Sequence, residues 1–254
     1  MTILNEGGNV FKGEDGTPVT QRINRADVDP TLDWLEKVTG IPHREFKLGS
    51  TGIKSSSGDM DIAVDQTSVD KTELAKRLVA WVKQNHPDDD PKKWVAKSGI
   101  SLHFKTPIRG DVNNGFVQTD LMFGEPDWMK FTMKGSGDDS QFKGMHRAVM
   151  MASVAKGQGM KWSSQAGLVD RETGETLSRN PDEIAKKLLG DNATASDLDS
   201  VETIVAKIKN RPDYEQLVAD AKENFEKQGL KLPETQKHPV GTMEWFSEMM
   251  RRVS

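Results

Sequence analysis

Residues 48–62 have the sequence LGSTGIKSSSGDMDI, and this stretch decides which fold we expect around it. It predicts a short strand (46–48) that ends at Gly49, a polar loop, and a second strand that carries Asp59 and Asp61. Successive side chains of a strand point to opposite faces, so these two carboxylates share one face, roughly 6–7 Å apart. Paired carboxylates with apolar neighbours behind them suit Mg²⁺, which prefers carboxylate oxygens together with water and phosphate.

A third carboxylate is predicted on a neighbouring strand. Asp120 lies inside the apolar stretch 116–123, whereas Asp111 and Glu125 lie in predicted loops. A charge in so apolar a strand requires a partner or a metal. Three carboxylates can hold two metal ions about 3.5–4 Å apart, so we expect two Mg²⁺ ions, with Mn²⁺ as a substitute.

The Gly-Ser turn supplies the features of an anion site. Backbone N–H groups at Gly49 and the hydroxyl of Ser50 can face a triphosphate, and Lys54 adds positive charge. The chain has no Walker A loop, because no Gly-Lys-Ser/Thr occurs with the required upstream glycine. Asp-x-Asp alone is common on solvated sheet faces, so the prediction depends on the combination of turn, loop, paired acids and the distant Asp120.

The order of predicted elements indicates an α+β fold, with a mixed sheet covered by helices. A small hairpin is predicted across residues 14–16, a helix from Asp29 to Gly40, another that begins at Asp70, and strands at 100–105 and 116–123. The pattern changes near residue 130 and becomes almost wholly helical beyond residue 200. Later helices are predicted at 141–156, 180–189, 201–209, 214–228 and 242–252. We therefore expect boundaries near residues 130 and 195.

Composition limits the classes of function. The 254 residues carry a formal charge of -4 and no cysteine, which excludes a disulfide scaffold and a cysteine nucleophile. Dedicated duplex-binding proteins are usually basic, so this charge does not itself indicate nucleic acid. No apolar stretch is long enough to span a membrane, and we expect a cytoplasmic protein without a membrane partner. The five histidines lack zinc-ligand spacing, and His103 is expected to be a packed or face-exposed residue.

These motifs resemble the DNA polymerase beta-like nucleotidyltransferase superfamily, whose signature is Gly-Gly/Ser, a loop, and Asp-hydrophobic-Asp/Glu. The stretch Ser57-Gly58-Asp59-Met60-Asp61 is most similar to family X DNA polymerases. The resemblance implies that Asp59, Asp61 and Asp120 are the catalytic metal ligands. It also implies a set of nucleotide contacts in the turn and loop: Gly49, Ser50, Lys54, Ser57 and Gly58.

The resemblance continues downstream and covers roughly residues 45–190. Phe131-Thr132 followed by Gly135-Ser136 is similar to the turn beside the nucleotide sugar, so Phe131 and Thr132 are expected at the nucleotide. Lys143 matches a residue near the incoming base, and Arg147 one near the template. By this match the parts are a catalytic palm with an N-terminal extension (1–130), a small α/β nucleotide-selecting subdomain (131–195) and a helical tail (196–254). The built-in lyase of the family is not expected, since about forty residues precede the catalytic strand.

The predicted function is transfer of a nucleoside monophosphate from an NTP or dNTP to a hydroxyl, by two-metal catalysis. The resemblance favours a DNA-synthesising enzyme with a nucleic-acid acceptor. The acidic balance favours other acceptors, namely tRNA, a protein or a small molecule. A third alternative is a catalytically degenerate binding module. The intact Asp59-Met60-Asp61 motif disfavours this alternative.

Overall fold

A four-stranded mixed sheet organises the first of two units into which the chain divides, residues 1–137 and 138–254. The computed structural model describes residues 9–135, 140 and 142–230. In chain order the first unit contains β1 (Ile23–Asn24), α1 (Arg25–Thr39), β2 (Ser56–Ser57), β3 (Asp59–Asp65), α2 (Lys71–Asn85), β4 (Val95–Ser98), β5 (Ser101–Pro107), β6 (Phe116–Gly124) and α3 (Pro126–Thr132). The predicted α+β class is confirmed.

The main sheet has the order β3-β6-β5-β4. Strands β3 and β6 are parallel, and the other two neighbouring pairs are antiparallel. One face of the sheet forms the core with α1 and α2, because apolar residues alternate along the strands and recur along the helices. Its fully buried members include Met60, Ile62, Leu102, Phe104, Leu121, Leu32, Leu35 and Leu78. The opposite face carries polar side chains together with a small second apolar cluster, in which Ala63 of β3 packs with Leu48 and Met129.

Two predicted boundaries were wrong. Helix α1 begins at Arg25 and not after Asp29, so Pro30 lies inside the helix. Val28 is 1% exposed, so its burial adds a turn to the apolar stripe of the helix. The free energy gained by this burial outweighs the loss of the one backbone hydrogen bond that Pro30 cannot donate. Asp29 instead accepts a hydrogen bond from Lys47 Nζ at 2.8 Å.

The predicted strand before Gly49 is shorter than expected. Residues 44–46 form a turn of 3-10 helix, and Lys47 makes one isolated antiparallel bridge to Ile62. The expected hairpin near the N-terminus is confirmed by the bridge between Lys12 and Pro18. Strands β3, β5 and β6 and helix α2 are also confirmed, the last capped by Asp70. The sequence analysis missed β4 and α3, which are four and seven residues long.

The second unit contains α4 (Gly144–Gly157), β7 (Met160–Ser163), β8 (Gly167–Asp170), β9 (Thr176–Ser178), α5 (Pro181–Leu189), α6 (Val201–Ile208) and α7 (Tyr214–Lys227). Its three strands form an antiparallel sheet. Asn180 caps α5 as expected for Asn before Pro. The predicted helix at 242–252, the predicted role of Ser136 and the predicted helix start at residue 141 lie outside the described residues. The separation of a subdomain from a tail at residue 195 stays a prediction.

Within the described ranges, no helix combines the length and apolarity that a membrane crossing requires.

His43 is a buried histidine held by the end of α1. It is 0% exposed, and its Nε2 lies 2.8 Å from Thr39 Oγ1. Burial, opposed in part by Glu36, lowers its pKa to about 4. An unfolded chain exposes this imidazole at its ordinary pKa of about 6.5. Between these values the unfolded state therefore binds the proton and the folded state does not.

We expect folding stability to fall as the pH is lowered from about 6.5 to about 4. The loss attributable to His43 is about 3 kcal/mol at the acid end of this window. Urea unfolding at several pH values should show this loss in the wild type and a flatter curve in His43→Gln, whose amide can still reach Thr39. Parallel curves for the two proteins would contradict the assignment.

Candidate metal centre

The three predicted carboxylates lie together on the polar face of the main sheet. Asp61 on β3 stands directly opposite Asp120 on the parallel strand β6. One oxygen from each of Asp59, Asp61 and Asp120 lies within 4.8 Å of the other two, and all three residues are partly exposed. In-register residues of paired strands share a face, so the pairing itself brings Asp120 to the Asp-x-Asp pair.

This arrangement concentrates negative charge. Two carboxylates at 4.8 Å repel each other by about 3 kcal/mol at an effective dielectric constant of about 20. The strands that hold them are anchored by the fully buried residues Met60 and Leu121 on the opposite face, so the backbone positions of the acids are fixed by the core. A divalent cation would turn this repulsion into attraction, which is the chemistry that the three oxygens suit.

Asp120 is held by two neighbouring side chains. His103, directly opposite on β5, places its Nδ1 2.7 Å from Asp120 Oδ1. Gln118 Nε2 donates to the same carboxylate, at 3.0 Å to Oδ1 and 3.3 Å to Oδ2. A carboxylate accepts hydrogen bonds, so His103 Nδ1 is the donor in this contact. His103 is 7% exposed, which confirms the expected packed position but adds a partner that the sequence analysis missed.

The Gly-Ser turn lies directly against Asp61. Gly49 has a φ of +58°, and a Cβ on it would stand 3.1 Å from Asp61 Oδ2. The Asp61 backbone is tied to the same turn on both sides. Its N–H donates to Thr51 Oγ1 at 2.9 Å, and its carbonyl accepts from the N–H of Leu48 at 2.8 Å. Glycine is thus required by backbone conformation and by the space that the carboxylate needs.

The polar loop that follows the Gly-Ser turn folds back onto Ser50. Ser57 Oγ donates to the carbonyl of Ser50 at 3.1 Å, and the two hydroxyl oxygens are 3.5 Å apart. Ser57 is buried, whereas the next residue, Gly58, is exposed immediately before Asp59. Lys54 belongs to the same loop, and its N–H donates to the Ser50 carbonyl at 3.3 Å. The structure therefore brings together the turn and loop residues predicted to contact a nucleotide.

The residues after α3 return to the Gly-Ser turn. The N–H of Gly49 donates to the carbonyl of Met133 at 3.0 Å, and Gly135 approaches so closely that a Cβ on it would stand 2.1 Å from the Gly49 carbonyl oxygen. Phe131 is 8% exposed, with its ring beside Trp128. Thr132 Oγ1 donates to the Met129 carbonyl at 3.4 Å. The expected turn thus adjoins the centre, but the Phe131 ring is mainly a packing group.

Lys143 and Arg147 belong to the second unit. Lys143 is exposed and caps the start of α4. Arg147 is 1% exposed, its Nε donates to the Leu198 carbonyl, and burial lowers its pKa to about 10. A guanidinium enclosed in this way has no surface to offer a template strand. The expected nucleic-acid contact of Arg147 is therefore corrected to a packing and hydrogen-bonding role.

No protein-family model matches this sequence, and none of the curated proteins matches it. The geometry of the centre is therefore the basis on which its function is inferred.

We expect Mn²⁺ to stabilise the protein through the three carboxylates. A hundredfold excess over the dissociation constant should raise the free energy of unfolding by about 2–3 kcal/mol. Asp61→Asn should lose this gain and be at least as stable as the wild type without metal, because one like-charge repulsion is removed. Asp88→Asn, an equal charge change at an exposed loop residue, should keep the gain. Thermal unfolding with and without Mn²⁺ measures all three, and equal gains for the wild type and Asp61→Asn would contradict the site.

Gly49→Ala should weaken Mn²⁺ binding at least tenfold, because its methyl group would crowd Asp61 Oδ2. Gly16→Ala is the matched control, since Gly16 also has a positive φ of +78° but has nothing within 4 Å of a Cβ. Both variants should lose about 1 kcal/mol of stability from the left-handed backbone. Calorimetric titration with Mn²⁺ separates them, and identical affinities would show that the methyl group leaves the carboxylate undisturbed.

Proposed function

We propose that the protein is a nucleotidyltransferase that transfers a nucleoside monophosphate from an NTP or dNTP to an acceptor hydroxyl. One observation carries the proposal: three carboxylates from two paired strands converge within 4.8 Å, beside a Gly-Ser turn that touches one of them. A metal platform alone would suit many hydrolases. A platform joined directly to a turn of backbone amides and hydroxyls suits a substrate that brings phosphates to the metal.

The residues of the centre fit a pair of Mg²⁺ ions. Asp59, Asp61 and Asp120 each offer a hard carboxylate oxygen at one partly exposed place, and hard oxygen donors are the ligands that Mg²⁺ prefers. When bound, the ions supply charge neutralisation for the triphosphate and lower the pKa of the attacking hydroxyl. The protein's own part is to hold the oxygens in place, because positioning and preorganised charge supply most of the catalysis in phosphoryl chemistry.

The loop residues are the proposed triphosphate contacts. Ser50 and Gly58 present a hydroxyl and backbone next to the acids, and Lys54 lies in the same loop. Gly49 and Ser57, which were also expected as contacts, shape the turn instead, because the N–H of Gly49 donates to the Met133 carbonyl and Ser57 is buried with its hydroxyl bonded to the Ser50 carbonyl. Arg22 adds a guanidinium at this edge. Its Nη2 donates to the Ser56 carbonyl at 2.9 Å, and its Nη1 lies 3.5 Å from the point where a Cβ on Gly58 would stand. These groups would bind and orient a triphosphate with its α-phosphate towards the carboxylates.

The proposal extends to a nucleic-acid acceptor, with DNA first and tRNA second, on the strength of the family resemblance. The burial of Arg147 removes one expected template contact. The geometry of the centre therefore supports the proposed reaction, and the proposed acceptor depends on the resemblance. A cytoplasmic location is proposed from the absence of cysteine, which fits a reducing compartment.

A labelled-nucleotide assay tests the reaction. Each NTP and dNTP is supplied with Mg²⁺ or Mn²⁺ to primer–template DNA, single-stranded DNA, tRNA and a protein mixture. We expect metal-dependent label transfer to at least one acceptor, a loss of at least a thousandfold in Asp61→Asn, and wild-type rates in Asp88→Asn. Extension in template order would establish DNA synthesis. Transfer that persists in Asp61→Asn, or no transfer to any acceptor, would contradict the proposal.

A further inference from the structure

Gln118 is a buried polar residue that connects the metal centre to the N-terminal hairpin. It is 2% exposed and lies on β6 two residues before Asp120, so both side chains are on the same face. Its register partner on β3 is Asp59. The side chain therefore lies between the acids and the part of the sheet that the hairpin covers.

The carboxamide of Gln118 uses both of its ends. Nε2 donates to the carboxylate of Asp120, at 3.0 Å to Oδ1, and Oε1 accepts from the N–H of Val10 at 2.8 Å. The opposite amide orientation would set an acceptor against the carboxylate and a donor against the N–H, so the two bonds fix the amide in one orientation. An apolar side chain of the same length would leave the N–H of Val10 and one acceptor of Asp120 without these partners.

The hairpin that supplies the Val10 N–H is itself anchored to β6. The N–H of Gln21, just after the hairpin, donates to the Phe116 carbonyl at 2.8 Å, and Phe11 is 4% exposed. Asn9 and Thr20 join the two ends through side-chain hydrogen bonds. The Val10 N–H therefore belongs to an ordered element and is a fixed anchor for the carboxamide.

We propose that Gln118 is a positioning residue that uses the N-terminal hairpin to orient Asp120 for divalent-cation binding. The inference rests on the proposed metal centre. The Gln118 and His103 donors both reach Oδ1. Among the described residues Oδ2 carries only the longer Gln118 contact, so Oδ2 is the oxygen that would face the cation. The neutral amide of Gln118 orients the carboxylate and leaves its negative charge in place. An arginine or lysine at this position would cancel that charge.

Gln118→Met tests the proposal, because methionine has a similar size and cannot hydrogen-bond in this way. Free Mn²⁺ is counted by its paramagnetic resonance signal during titration of the full chain without nucleotide. We expect at least a tenfold weaker affinity, the size typical of lost outer-shell partners of metal ligands. Gln84→Met, at an exposed position on α2, is the matched control and should bind as the wild type does.

Val10→Pro is a second variant that keeps every side chain of the centre and removes only the N–H that holds Gln118. It should also weaken Mn²⁺ binding, by a smaller factor, with a thermal unfolding midpoint of the metal-free protein close to the wild type. Wild-type affinity in Gln118→Met, while Asp61→Asn abolishes binding, would overturn the inference alone. Absence of Mn²⁺ binding in the wild type would overturn the metal centre and the inference with it. If Gln118→Met does not fold, wild-type affinity in Val10→Pro overturns the proposed link to the hairpin.

Discussion

The structure of the first unit depends on the in-register pairing of the parallel strands β3 and β6. This pairing holds Asp61 opposite Asp120 and keeps three like charges within 4.8 Å. Each close pair of carboxylates repels by about 3 kcal/mol, so other interactions must stabilise the strand pair. The apolar face of the same two strands provides them, because Met60 and Leu121 are fully buried there. Packing on one face thus fixes the strands that carry the carboxylates on the other, where a bound cation would offset the repulsion between them.

The surroundings of the cluster leave room for that cation and orient its ligands. Gly49 has no side chain where one would meet Asp61, and the turn that contains it is bonded to the Asp61 backbone on both sides. Asp120 is oriented by two donors, His103 and Gln118. The amide of Gln118 is neutral, and a cationic side chain at its position would compete with a bound cation for the charge of Asp120.

Sequence patterns predicted the parts of this centre that depend on local order. The alternation of apolar and polar residues was enough to find β3, β5 and β6 and to place the acids on one face. It could not show that His103 meets Asp120, because that contact follows from the register between β5 and β6. The contact between Gln118 and Asp120 could have been predicted, since the two residues lie two apart on one strand. Arg147 illustrates the same limit at longer range: its partner carbonyl is 51 residues away in the chain, and no local pattern indicates that the guanidinium is buried.

A crystal structure of the protein with Mn²⁺ and a non-hydrolysable nucleoside triphosphate tests the central claim most directly. The anomalous signal of manganese identifies the metal without reference to any assumed site. We expect manganese between Asp59, Asp61 and Asp120, with the triphosphate oxygens between the metal and the turn at Gly49 and Ser50. Manganese at another position, or a triphosphate bound away from that turn, would contradict the account of this chain as a nucleotidyltransferase.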